Sequence, residues 1–128
     1  MQPLRRVANR PVLAGAAALA LALAAPGALA ASYEFLAAPQ VNLNRIYRLD
    51  KATGEVAACQ YGLKEGTIGV TICYPPGEGA AAQASSEYQL VASRHEQEAG
   101  VFRVDLRNGG VSICYVYNEA VVCTSAAK

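Results

Sequence analysis

The stretch IYRLDKATGEVAACQY, residues 46–61, returns 55 residues later as VFRVDLRNGGVSICYV, residues 101–116. The match extends without a gap over residues 33–59 and 88–114, because YEFLA at 33–37 is answered by YQLVA at 88–92. Five residues of the first stretch are identical in the second: Arg48, Asp50, Gly54, Val56 and Cys59 return as Arg103, Asp105, Gly109, Val111 and Cys114. One structural unit is therefore used twice, and this repeat decides the fold.

Both copies alternate in the segments 45–50 and 100–106. In the first copy Tyr47 and Leu49 face one side, whereas Ile46 and Arg48 face the other, and a period of two is typical of a β-strand. After the next turn, each copy is predicted to bring two further residues to the Tyr47 or Phe102 face: Val56 and Ala58, or Val111 and Ile113. The recurring aromatic positions are predicted to be core: Tyr33, Tyr47, Tyr88 and Phe102.

Each alternating segment ends in a turn motif, D-x-x-T-G at 50–54 and D-x-x-N-G at 105–109. The Asp50 or Asp105 side chain can accept backbone hydrogen bonds there, and Gly54 or Gly109 can adopt positive φ. Both features are typical of hairpin turns. The turn role accounts for the repeated carboxylates, so they need not be a catalytic pair.

The sequence predicts an all-β fold, with two tandem four-stranded antiparallel meander repeats packed as a small disulfide-stapled sandwich or barrel. The repeats span residues 33–74 and 88–124 of a single domain, 31–128, and the run 75–87, rich in Pro, Gly, Ala and Ser, is predicted to be the linker. One copy alone would expose an apolar face, and two copies can cover each other.

Residues 1–30 have the pattern of a secretory signal peptide, with the basic start MQPLRRVANR before an apolar run that ends in small residues. Cleavage after Ala30 is predicted, because Ala28 and Ala30 then stand at the two positions that require small side chains. A retained membrane anchor is the alternative, and Pro26 and Gly27 disfavour it by interrupting the apolar run. We predict export to a bacterial periplasm or the extracellular space, with no membrane span after the leader is removed.

The charges do not suggest a nucleic-acid partner. The chain has 11 Lys and Arg against 10 Asp and Glu, and three of the basic residues, Arg5, Arg6 and Arg10, belong to the predicted leader. A nucleic-acid-binding surface needs clustered Lys and Arg, and nothing after the leader resembles such a cluster. We predict no nucleic-acid partner.

All four cysteines follow the predicted leader, and export implies an oxidising compartment, so two disulfides are predicted. The spacing contains no C-x-x-C pair, which makes a zinc site the weaker alternative. We predict the pairs Cys59–Cys73 and Cys114–Cys123. If residues 118–119 form a two-residue loop, Cys114 lies opposite Cys123 at a non-hydrogen-bonded position, where side chains approach most closely.

The segments YRLDKATGEV, 47–56, and FRVDLRNGGV, 102–111, resemble the strand-turn-strand core of blades in quinoprotein-type β-propellers. The resemblance covers about ten residues per copy and implies a blade-like hairpin. The tryptophan that follows the T-G turn in that family is absent, since the chain has no Trp, and two blades cannot close a ring that needs at least four. The quinone is therefore not carried over, and no cofactor or metal is predicted.

Tyrosines near the cysteines are the candidate binding residues, with Tyr74, Tyr115 and Tyr117 the first of them. An exposed tyrosine on a hairpin suits protein or glycan contact, because it offers apolar area and a polar tip. The alternative is that these rings fill the core between the sheets.

Two repeated arginines, Arg48 and Arg103, are further candidates, on the strand face opposite the aromatic residues. They can bind an anionic group or pair across the sheet with a carboxylate, and we favour the second. The candidate carboxylates are Glu34, Glu55 and Asp105. The single histidine, His95, is predicted to lie in a solvated loop.

The leading functional hypothesis is a non-catalytic exported domain that binds a protein or an envelope polymer, a class that includes small inhibitors of hydrolases. A structural protein that assembles through strand edges is the alternative. A small hydrolase is the least favoured, because a nucleophile and a base would have to meet in space, and the chain offers one histidine and four cysteines that are predicted to be paired.

Overall fold

The structure, a computed structural model, describes residues 32–128 together with residues 2–4, 8, 9, 11 and 15. Most of the predicted leader and the predicted mature start, Ala31, lie outside these residues. Eight strands form the fold: β1 (Tyr33–Ala37), β2 (Arg45–Asp50), β3 (Val56–Gly62), β4 (Val70–Tyr74), β5 (Tyr88–Val91), β6 (Val101–Asp105), β7 (Val111–Tyr117) and β8 (Ala120–Cys123). Among the described residues, no helix has the length and apolar character needed to span a membrane.

The strands form two antiparallel meanders, β1-β2-β3-β4 and β5-β6-β7-β8, as the repeat predicts. The register of the first three strands of each sheet is the same after a shift of 55 residues: Ile46 lies opposite Cys59, and Val101 lies opposite Cys114. The predicted all-β sandwich of two four-stranded repeats is confirmed.

The turn chemistry is also confirmed. Asp50 Oδ1 accepts hydrogen bonds from the backbone N–H groups of Ala52 and Thr53, and Asp105 Oδ1 accepts the equivalent pair in the second copy. Gly54 and Gly109 have φ of 75° and 77°, so a Cβ at either position would be strained.

The core lies between the two sheets, and it corrects part of the sequence-based prediction. Tyr47 is fully buried and Tyr88 almost so, whereas Tyr33 is half exposed and Phe102 only partly buried. In the second sheet the buried positions of β6 are instead Val101, Arg103 and Asp105. The prediction that Tyr33 and Phe102 are core residues is wrong, because the second sheet does not bury the face that is equivalent to the buried face of the first.

The segment 75–87 is folded tightly against both sheets. Pro76 forms a parallel bridge with Val121, which covers the outer edge of β8. Ala80 is fully buried in the core, and its carbonyl oxygen accepts a hydrogen bond from Val56 N. This connection therefore contributes to the packing of the sheets as well as joining them.

Both predicted disulfides are confirmed, Cys59–Cys73 and Cys114–Cys123. Each bridge joins residues that lie directly opposite each other in neighbouring strands. The two bridges differ in environment. Cys114 is fully buried and Cys123 nearly so, whereas Cys59 is half-buried and Cys73 is exposed.

Candidate functional site

The most exposed tyrosine beside a bridge is Tyr117 of β7, and Tyr115 lies on the same strand. Tyr115 and Tyr117 share the outer face of the second sheet, and Tyr117 is 66% exposed. Tyr74, the third tyrosine of the predicted set, is half-buried on the side of the first sheet that faces the second. The Arg45 guanidinium lies 5.4 Å from the centre of its ring. The structure therefore brings Tyr115 and Tyr117 together and leaves Tyr74 apart.

The hairpin that carries these two tyrosines is rigid for two local reasons. The Cys114–Cys123 bridge closes it three positions below Tyr117, and Tyr117 pairs with Ala120 across a two-residue loop. The loop residues Asn118 and Glu119 have φ of 51° and 63°, the pattern of a type I′ turn, which matches the twist of the strands. We call Tyr115 and Tyr117 with this loop the hairpin end.

Glu119 is the more strained of the two loop residues, because asparagine tolerates positive φ better than glutamate does. We expect Glu119→Gly to raise the free energy of unfolding by about 0.5–1 kcal/mol, since Asn-Gly is the preferred I′ pair. Denaturant unfolding of the oxidised protein checks this. Lys51→Gly, in the longer turn after β2, is the control and should not stabilise, so a gain there equal to that at position 119 would contradict the expectation.

The repeated arginines have different environments. Arg103 is buried and donates hydrogen bonds to the carbonyl oxygens of Gly54 at 2.8 Å and Gly79 at 3.0 Å. Burial lowers the pKa of its guanidinium. The carboxylate partner expected from the sequence is thus replaced by two backbone carbonyls, because Arg103 points across the core to the turn after β2. Arg48 is exposed, and its guanidinium lies 5.4 Å from the centre of the Tyr33 ring.

Asp105 has a structural partner as well as its turn role. The Ser86 hydroxyl donates a hydrogen bond of 2.6 Å to Asp105 Oδ1, and together with the N–H groups of Arg107 and Asn108 it holds the pKa of that carboxyl below its usual value. Because the charged form is used to fix the turn, this carboxylate is a poor candidate for a proton-transferring group.

His95 is exposed, and its Nδ1 accepts a hydrogen bond from Gln97 N, in line with the predicted solvated loop. In the part of the chain that the structure describes, no group of three or more His, Cys, Asp or Glu is placed to hold a metal ion.

The sequence-based prediction missed one surface feature, a cavity on the first sheet. A shallow cavity of about 220 Å³ lies on the outer side of the first sheet, and its lining includes Ile46, Cys59, Tyr61 and Thr71. The alternation of β2 places Ile46 on the face away from Tyr47, and this pattern was the sequence signal that could have indicated an apolar outer face. That this face stays open is a consequence of how the sheets stack.

Comparison with known proteins adds no family. No family model, curated protein or solved structure matches this chain.

Proposed function

We propose that the chain is a non-catalytic, exported binding module that holds a protein or an envelope polymer at the hairpin end. The observation that carries this proposal is the exposure of Tyr115 and Tyr117 on a hairpin that a buried disulfide closes. A rigid hairpin presents these rings with little entropy to lose on binding, and tyrosine combines apolar area with a polar tip. Two disulfides are compatible with export.

The environment of the other repeated polar residues supports binding over catalysis. Asp50 and Asp105 each accept two backbone hydrogen bonds in their turns, and Arg103 is engaged with two carbonyl oxygens. Each of these three groups therefore has a structural role, and Arg48, which is exposed, is the exception among the repeated polar residues. The exposed tyrosines of β7 have no counterpart of this kind in the first copy, where Gln60 and Gly62 occupy the equivalent positions.

Tyr117→Ala is expected to leave the fold intact and to weaken capture of the partner. The ring is two-thirds exposed, so its removal should change the free energy of unfolding by no more than about 0.5 kcal/mol. A central tyrosine of an interface typically costs at least 2 kcal/mol of binding when truncated, which is roughly a thirtyfold loss of affinity. Immobilised protein is incubated separately with envelope proteins and with cell-wall polymer, and retained material is quantified.

Tyr61→Ala is the matched control, since Tyr61 is an exposed tyrosine of the first-copy hairpin. It should retain as much partner as the wild type. The proposal fails if Tyr117→Ala captures as much as Tyr61→Ala. It also fails if a thermal melt of Tyr117→Ala shows that the fold has been lost.

The strand-edge alternative depends on which edges stay accessible. The outer edge of β8 is paired with the segment 75–78, whose Pro76 bridges Val121. The outer edge of β5 is partly covered as well, because its Leu90 N donates a hydrogen bond to the Glu34 carboxylate. The edge of β4 (Val70–Tyr74), whose first four residues are exposed, is a candidate for pairing between chains.

A further inference from the structure

The two sheets stack on non-equivalent faces. Tyr47 and Leu49 of β2 are fully buried, but their counterparts 55 residues later, Phe102 and Val104, lie on the outer face of the second sheet. Conversely, Val101 is fully buried, whereas its counterpart Ile46 is exposed. The equivalent strands have the same register, so the faces that meet are non-equivalent ones. The second sheet is therefore stacked on the first front to back, rather than with like faces in contact.

Front-to-back stacking leaves two faces of each molecule open, the outer face of the first sheet and the outer face of the second. The first-sheet outer face consists of the counterparts of residues that the second sheet buries: Tyr33, Phe35, Ile46, Arg48 and Cys59. The second-sheet outer face consists of the counterparts of residues that the first sheet buries fully or, for Leu36, in part: Val91, Phe102, Val104, Val111 and Ile113. Apart from Arg48, both faces are mainly apolar, and their residues are exposed or half-exposed, as is typical of interaction surfaces.

The polar contacts of the buried interface have counterparts on the open faces. Inside the molecule, Arg103 donates to Gly54 O and the Tyr88 ring packs against the same glycine. The counterparts Arg48 and Tyr33 are exposed on the first-sheet outer face. The counterpart of Gly54 is Gly109, which has the same positive φ and open space where a Cβ would stand.

A second contact follows the same rule. Glu34 Oε2 of the first sheet accepts a hydrogen bond from Leu90 N of the second. Their counterparts are Gln89, which is exposed and has an acceptor oxygen in its side chain, and the backbone N–H of Phe35. Thus both a donor-acceptor pair and the ring-on-glycine contact can form again between two molecules.

We propose that a second copy of this chain occupies these faces, with the first-sheet outer face of one molecule stacked on the second-sheet outer face of the next. The new interface continues the stacking that already joins the two sheets. Because it joins unlike faces, it is heterologous, and repetition yields a closed ring or an open filament according to the rotation between molecules. The proposal is argued from residues other than Tyr115 and Tyr117, which lie on the same outer face but nearer the hairpin loop.

Two lysine substitutions test the proposal from opposite faces. Phe35 is 59% exposed, and its counterpart Leu90 is buried, so Phe35→Lys should spare the fold and block the first-sheet outer face. Val111 is 37% exposed, and its counterpart Val56 is fully buried, so Val111→Lys should block the second-sheet outer face. Ile68→Lys, in the loop before β4, adds the same charge at a residue that is 98% exposed and is the control.

Sedimentation equilibrium of the oxidised protein over a range of concentrations gives the mass. The wild type and Ile68→Lys should exceed the mass of one chain, and Phe35→Lys and Val111→Lys should each remain monomeric. An equimolar mixture of the two should form a dimer of twice the monomer mass and nothing larger, since each partner supplies one intact face and one blocked face.

Three results would overturn the proposal. A wild type that is monomeric at every concentration shows that no second copy binds. If one lysine variant alone associates as the wild type does, then identical faces of two molecules pair with each other, which contradicts the proposed contact between unlike faces. A mixture that stays monomeric while circular dichroism shows both variants folded rules out the head-to-tail contact. Capture at the hairpin end can still be measured in each case, so the two proposals fail separately.

Discussion

Replacing Cys114 and Cys123 together with alanine is expected to lower the free energy of unfolding by about 4 kcal/mol. Loop closure alone accounts for roughly 2.7 kcal/mol at a separation of nine residues. The remainder comes from the cavity left by two buried sulfur atoms, since Cys114 is fully buried in the core. A loss of this size is a large fraction of the stability of a domain this small.

The first-copy bridge is the matched control. Cys59 and Cys73 enclose a longer separation of 14 residues, so the entropic model alone makes their bridge the more stabilising by about 0.4 kcal/mol. Burial reverses that order, because Cys73 is exposed and its removal leaves little cavity. Denaturant unfolding of the two double-alanine variants decides, and a larger loss for Cys59 and Cys73 would contradict the argument from burial. The exposed bridge should also be the first to open as reductant is increased.

Arg103→Met is expected to lower the free energy of unfolding by about 2–4 kcal/mol. Methionine keeps the apolar stem packed but removes the donors to the carbonyl oxygens of Gly54 and Gly79. Each hydrogen bond from a charged donor contributes roughly 1.5–3 kcal/mol, and relief from desolvating the guanidinium offsets part of the loss.

Arg48→Met makes the same change at the equivalent position of the first copy. Because Arg48 is exposed, the loss there should stay below about 0.5 kcal/mol. Denaturant unfolding in dilute solution measures both variants. Equal losses at positions 48 and 103 would show that the two faces are equivalent, which would contradict the front-to-back stacking.

The local structure of this chain was predictable because local chemistry decides it. The alternation in residues 45–50, the Asp and Gly of each turn, and the two-residue loop at 118–119 each depend on a few neighbouring residues. Together they predicted the strand pairing and, through the register beside the loop, the bridge between Cys114 and Cys123. The repeat predicted that the second sheet would copy the first.

Local sequence patterns were enough to predict the eight strands, their order, the register across the cysteine hairpins and the two disulfides. Which face of each sheet is buried followed instead from the packing of the two sheets. A period of two defines two faces but does not choose between them when both are apolar, as with Ile46 beside Tyr47 and Val101 beside Phe102. The choice depends on how the second sheet stacks on the first, which involves contacts such as Tyr88 on Gly54 and Arg103 on the Gly54 carbonyl. Those contacts join residues far apart in the chain, so no local pattern records them.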